Sequence, residues 1–509
     1  MNIKQAKEEI QNTLRAYLTR DELGNYLIPS VRQRPVLLMG PPGIGKTQIM
    51  EQIAAETGVG LVSYTITHHT RQSAIGLPML QHRTFGGQEV TVTEYTMSEI
   101  LGSVYELMEK TGLKEGILFL DEINCVSETL APMMLQFLQC KTFGNQALPE
   151  GWLIVAAGNP PEYNKSVRDF DMVTLDRVKR IDVEADFGVW KEYARRKGLH
   201  GAVVSYLDIK KDHFYRVETT VDGLQFATAR GWEDLSELLF AYERLGLKAD
   251  RLVVEQYIQM PHIARDFANY LELYNKYQRT YHVEEILTGG WQPTTVSELR
   301  AAPFDERLSV LGLLMSRLSE CAAGTRRQDA LTVELHKSLL EVRDRLQAGA
   351  AADQVLTELV QRRQKALRRT KEAGQLDRER RDLEMRSWQT LEEYRQRLQR
   401  EEIAPENAMD ALRTWFAGQV AQRKTAGETA GTEFANAFRF LEQALGDSQE
   451  MVLFVTEITA GYDTSWFVET FGCEAYFRHN QELLLDDTRQ RLRRQIAAAR
   501  KAEEELPRL

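Results

Sequence analysis

The sequence predicts an α/β protein: a parallel-sheet core, a small helical lid after it, and an all-α C-terminal region with a helical hairpin or short coiled coil. Three observations predict this. Early in the chain, short apolar runs that stop at glycine or at acids alternate with stretches of helical spacing. One such run, Ile117 to Leu120, is apolar at every position, which suits a strand buried on both faces of a parallel sheet. From Leu331 onward the apolar residues recur at three- and four-residue steps instead, and the remainder reads as helix.

The 509 residues suggest two to four domains at about 150 residues each. Hydrophobic residues make up 43% and charged residues 27%, close to an ordinary soluble protein. The net charge of −10 argues against a dedicated nucleic-acid binder, though not against a local basic face. Cys125, Cys140, Cys321 and Cys473 are far apart, so neither a zinc site nor a disulfide frame is suggested. The start, "MNIKQAKEEI", lacks the apolar core of a signal peptide, and no apolar run approaches the ~20 residues that span a bilayer. A cytoplasmic protein without membrane insertion is expected.

Taken in order, "PVLLM" (residues 35–39) is the first strand, and "GPPGIGKT" follows it. Gly40, Pro41, Pro42, Gly43, Ile44, Gly45, Lys46 and Thr47 fit G-x-x-x-x-G-K-[ST], and Gln48 continues into a helix with Ile49, Ile53 and Ala54 on one face. Glycines let backbone N–H groups curl around an anion, and the following helix adds its positive end. Lys46 would sit on the outer phosphates and the Thr47 hydroxyl on Mg²⁺. A second strand covers Leu61 to Ile66. The third ends in two acids: Asp121 would hold the Mg²⁺ shell, and Glu122 would polarise an attacking water as general base. "WLIVAAGN" is a further strand ending in Asn159, whose amide can hold that water or sense the γ-phosphate.

"GPPGIGKT", "LFLDEIN" and "AAGNPPEYN", in this order and spacing, resemble the AAA+ ATPases, and within them the MoxR-type and dynein-related branch. That branch carries a strand-end Asn followed by prolines and then an "LDR" box. The box here is "TLDRVKR", with Val where the branch commonly has Phe. The resemblance covers roughly residues 1–285. It implies the cofactors ATP and Mg²⁺ and a homo-oligomeric ring, usually a hexamer, with nucleotide between neighbours. It matches Arg177 to the arginine finger, with Arg180 as the rival position and a salt bridge to Asp176 or Asp171 as the alternative for Arg177. Arg230, opening a helix in "FATARGWEDL", matches the second sensor, reaching the nucleotide of its own subunit; a solvent-facing arginine is the other reading. Relatives of the MoxR type act as chaperone-like activators of proteins, often with a separate von Willebrand factor A protein. The metal motif DxSxS of such a partner is absent from this chain, so it would be a second polypeptide. The competing function is a nucleic-acid-associated motor or loader, which the acidic composition weakens. ATP is preferred over GTP because "NKSV" and "NKYQ" fail at the acid of NKxD.

The domain boundaries expected are 1–186 for the large nucleotide-binding part, 187–286 for the lid, 287–305 for a linker around "LTGGWQPTT", and 306–509 for the helical region. Within that region an arm covers about 327–402 and an end domain about 406–509. "FGGQ" with "VTVT", within residues 76–96, reads as a hairpin, and residues 140–152 form a second insertion; both face either a central pore or solvent. "THHTRQSAIG" (67–76) is polar and can line the site, but no further ligands are spaced for a metal on His68 and His69. In the C-terminal half, Leu331, Leu335, Leu339, Val342 and Leu346 mark a helix, and Leu376, Leu383, Trp388, Leu391 and Leu398 an imperfect apolar stripe. The basic "QRRQKALRRTK" (361–371) is a solvated face or a dock for an acidic partner. "TAGETAGTEF" (425–434) reads as a flexible turn.

Overall fold

The structure, a computed structural model, describes residues 1–68, 74, 76–86, 88–143, 146–163, 170–220, 223–374 and 378–481, with side chains for all but His68, Phe85 and Arg378. Leu376, "NKSV" and most of 69–76 lie outside the described residues. The chain forms two compact units: Met1–Val189 with Glu341–Ala408, and Trp190–Leu340 with Met409–Leu509.

In the first unit come α1 (Ile3–Leu18), β1 (Val36–Met39), α2 (Lys46–Thr57), β2 (Gly60–Thr65), β3 (Pro78–Phe85), β4 (Gln88–Tyr95), α3 (Glu99–Thr111), β5 (Gly116–Asp121), α4 (Ala131–Cys140), β6 (Thr142–Phe143), β7 (Gln146–Ala147), β8 (Trp152–Gly158), α5 (Met172–Leu175) and β9 (Lys179–Asp182). Five strands make one sheet in the order β2-β5-β8-β1-β9, and every pairing is parallel. The apolar runs are buried on both faces, as parallel strands require: β8 is buried at all its positions, and β5 at all but its terminal Asp121. Ile49, Ile53 and Ala54 of α2 share one core with Ala6, Ile10 and Leu14 of α1. Register decides what happens at the C-terminal edge. Met39 is paired with Gly158 and with Asp182, and Thr65 with Asp121, so the loops leaving these strands begin at one level.

The hairpin expected within 76–96 is present: β3 pairs with β4 from Pro78↔Tyr95 to Phe85↔Gln88. Gly76 enters it at φ +102, and a Cβ there would lie 2.2 Å from Thr96 O, so only glycine fits.

In the second unit the chain continues with α6 (Phe187–Lys197), whose first residues belong to the first unit, then α7 (Gly201–Ile209), β10 (Arg216–Thr220), β11 (Gly223–Ala227), α8 (Ala229–Leu245), α9 (Arg251–Glu255), α10 (Pro261–Thr280), α11 (Val283–Thr288), α12 (Pro293–Ala301) and α13 (Phe304–Gln347). Tyr206, Trp232 and Phe267 form an aromatic centre at 5.2–5.8 Å, with the Phe267 ring edge-to-face to the other two. The stretch read as a linker is packed and partly helical. Trp291 meets Phe440 at 5.6 Å, and Arg439 lies over its ring at 4.9 Å.

The helical hairpin is α14 (Ala352–Glu372) with α15 (Arg378–Arg400), and it groups with the first unit. Ala373 O, in its turn, accepts the N–H of Leu61 on β2 at 3.1 Å. The chain then returns to the second unit through α16 (Ala408–Leu445), α17 (Gln449–Ala460) and α18 (Tyr462–Phe471). Here the sequence misleads. Thr425–Phe434 is no turn; it lies inside the 38-residue helix α16. Gly427 is there for packing, since a Cβ would lie 2.3 Å from the Phe471 ring. Charged side chains join α6 and α13 to these last helices. Lys191 Nζ meets Asp208 at 2.5 Å and Glu457 at 2.9 Å, Arg195 also pairs with Glu457, and Arg326 Nε meets the buried Asp463 at 2.5 Å. Among the described residues no helix is long and apolar enough to cross a membrane.

Candidate functional site

The loop between β1 and α2 turns twice through left-handed glycine, Gly43 at φ 75 and Gly45 at φ 93. Gly40 passes so close to β9 that a Cβ would sit 2.7 Å from Val183 O. Gly45 caps α2, so Lys46 and Thr47 are its first residues, at the helix end that favours anions. Lys46 is buried at 8% exposure, which is costly for an ammonium unless it is satisfied. Its Nζ donates to Gly40 O at 2.8 Å, Pro41 O at 2.9 Å and Asn159 Oδ1 at 2.8 Å. The structure thus brings together two sequence-predicted residues 113 positions apart.

Thr47 Oγ1 donates to Asp121 Oδ2 at 3.0 Å. A hydroxyl and a carboxylate side by side are the hard oxygen donors that Mg²⁺ accepts. Glu122 follows with φ 57, left-handed for a residue with a side chain. Its N–H donates to Asp121 Oδ1 at 2.9 Å, and Ile123 N–H donates to Ala157 O at 2.9 Å, so the turn is fixed from both sides. Thr67 Oγ1 donates to Glu122 Oε2 at 2.9 Å. The polar segment after β2 therefore does reach the site through Thr67, while 69–73 and 75 lie outside the described residues.

Asn124 was not foreseen. It is buried, and its Nδ2 donates to Asn159 O at 2.8 Å, holding the strand end that presents the Asn159 amide to Lys46. Gly158 makes room for it, because a Cβ there would come within 2.7 Å of Asn124 Oδ1. The buried polar residue closing "LDEIN" was the only signal.

Arg177 and Arg180 are both exposed, but they differ in partner. Arg180 Nε donates to Asp182 at 2.9 Å. Arg177 Nη1 donates to Gln139 Oε1, a residue the sequence did not mark. Asp171, which caps α5, is held below the usual carboxylate range, first by its hydrogen bonds from Thr174 and lastly by the charge of Arg177. Arg230 is an exposed residue in the first turn of α8, in the second unit. Close to Gln139 in sequence, Lys141 ends α4 in a left-handed conformation, with φ 56 and 7% exposure. Among the described residues its Nζ has no partner, and burial pushes its pKa down to about 8.

Residues 35–178 match the family described as AAA domain (dynein-related subfamily). This stretch is an AAA-type ATPase domain. Two curated relatives, the ATPase family gene 2 protein homolog B of Mus musculus and of Bos taurus, are each 34% identical to this chain over 93 residues. The similarity covers 18% of this chain and 10% of each relative, so the chain spans only a small part of their length. Among solved structures, NtrX from Brucella abortus in complex with ADP is similar at 14% identity and a TM-score of 0.24, over 40% of this chain and 44% of that one. The matched range takes in four of the five strands of the sheet, β1, β2, β5 and β8; β9, residues 187–286, the hairpin α14–α15 and the last helices lie outside it.

Proposed function

We propose that this protein hydrolyses ATP as an oligomeric ring, on the pattern of MoxR-type ATPases, and uses the energy to remodel or activate a protein partner. One observation carries the reading: at the C-terminal edge of the parallel sheet, Lys46 is bound to Asn159 while Thr47 is bound to Asp121, with Glu122 next to it. The loop amides and Lys46 bind the β- and γ-phosphates. Thr47 and Asp121 would hold a Mg²⁺ ion, which would supply positive charge against the phosphates. Glu122 takes the proton of the attacking water, and Asn159 orients that water against the γ-phosphate. Arg177 is lent to the nucleotide of the neighbouring subunit in a hexamer, and Arg230 keeps the second-sensor role that the resemblance implies. The β3–β4 hairpin and residues 140–152 face the substrate in the ring's pore. The partner is a protein bearing a von Willebrand factor A domain on a separate chain, or that protein's client.

The test is Glu122→Gln. This variant is expected to bind ATP as tightly as the parent, to lose turnover by about a thousandfold or more, and to accumulate as assembled rings, measured by phosphate release and sedimentation. Normal turnover would refute the base assignment. Turnover stimulated by DNA and falling steeply with salt would point to a nucleic-acid motor instead.

A further inference from the structure

Arg177 leaves a turn whose backbone is fixed on both sides. Thr174 and Val178 are buried, and Arg177 N–H donates to Thr174 O at 3.0 Å. Gln139 is fixed in the same way: Phe137 and Leu138 before it are buried, and Lys141 after it closes the helix. Between these two anchored positions runs one side-chain contact, Arg177 Nη1 to Gln139 Oε1. The nearby Arg180 has a carboxylate instead, Asp182.

That difference has a chemical consequence. A carboxylate cancels a guanidinium's charge and takes up its paired donors. An amide oxygen orients the guanidinium while leaving its full charge and most of its five N–H donors for another anion. We infer that Gln139 is the positioning residue for Arg177. It holds the guanidinium extended toward a phosphate without neutralising it, and gives it up when that phosphate arrives. The inference rests on reading Arg177 as the cation lent to a neighbouring subunit's nucleotide.

The experiment compares Gln139→Ala, Gln139→Glu and Arg177→Ala in the full chain with Mg²⁺ and ATP. Steady-state turnover is measured across ATP concentrations, together with the affinity for a fluorescent ATP analogue. Gln139→Ala is expected to lower kcat about tenfold with KM and affinity unchanged, the scale on which a misplaced transition-state group costs rate. Gln139→Glu puts a competing carboxylate on the guanidinium and is expected to fall further, to the level of Arg177→Ala. The proposal is overturned if Arg177→Ala loses turnover while both Gln139 variants stay within about twofold of the parent. It is also overturned if the Gln139 variants lose nucleotide affinity in parallel with kcat, which would make Gln139 structural. An Arg177→Ala variant with parental turnover would remove the finger reading itself, a result distinct from the other two.

Discussion

Two regions of this molecule bury charged side chains, and they do so in opposite ways. In the second unit the partners of charge are charges: Lys191 with Asp208 and Glu457, Arg326 with Asp463. At the sheet edge of the first unit, Lys46 is buried against two backbone carbonyls and an amide oxygen. A charge that already has its counter-charge is finished chemically; it fixes helices together. A charge oriented by neutral oxygens keeps its field for a ligand. Burial alone therefore does not mark a site, whereas burial with neutral partners at the end of parallel strands does.

The comparison can be broken most sharply at Lys46. Lys46→Ala is expected to weaken ATP binding by about 3 kcal/mol or more, about a hundredfold, with little change in melting temperature; calorimetric titration with ATP checks it. Asp463→Ala should do the reverse. It leaves the half-buried Arg326 without its carboxylate, and a loss of about 3 kcal/mol is expected in denaturant unfolding, with ATP affinity retained. If Asp463→Ala proved neutral, the pairing would not be what joins these helices. Gly427→Ala is a milder probe of the same unit. Its Cβ would run into Phe471, so about 1–3 kcal/mol should be lost, visible as a lower melting temperature.

One further effect depends on pH. Lys141 has a folded-state pKa of about 8 against its ordinary 10.5. Between those values the unfolded chain holds the proton and the folded chain does not, so stability rises with pH across that window. Below about 8 the burial cost is present in full. Lys141→Met should therefore be more stable than the parent near neutrality and lose that advantage as pH approaches 10.5. Denaturant midpoints at three pH values test the slope; parallel curves for the two proteins would reject the assignment.

Much of the first unit was legible in the sequence. Uninterrupted apolar runs of four or five residues bounded by glycine or acids suit strands covered on both faces, and a glycine loop between strand and helix has one common use. Asn159 was legible by position, because it follows a strand that runs beside the one ending in Asp121. Gln139 and Asn124 were not, since each acts on a residue far along the chain and a single glutamine or asparagine makes no periodic pattern. Thr425–Phe434 was misread for a physical reason. Glycine beside threonine signals a turn when glycine is used for backbone freedom, but Gly427 is used for its missing side chain.

The hydrogen bond from Leu61 to Ala373 has a consequence for handling this protein. β2 is the outermost strand of its sheet, and an uncovered outer strand offers its backbone to any other extended chain. The bend of the α14–α15 hairpin stands against that flank like a doorstop. Trimming the hairpin away to isolate the AAA domain would yield a protein prone to stick to itself, whatever it did to catalysis.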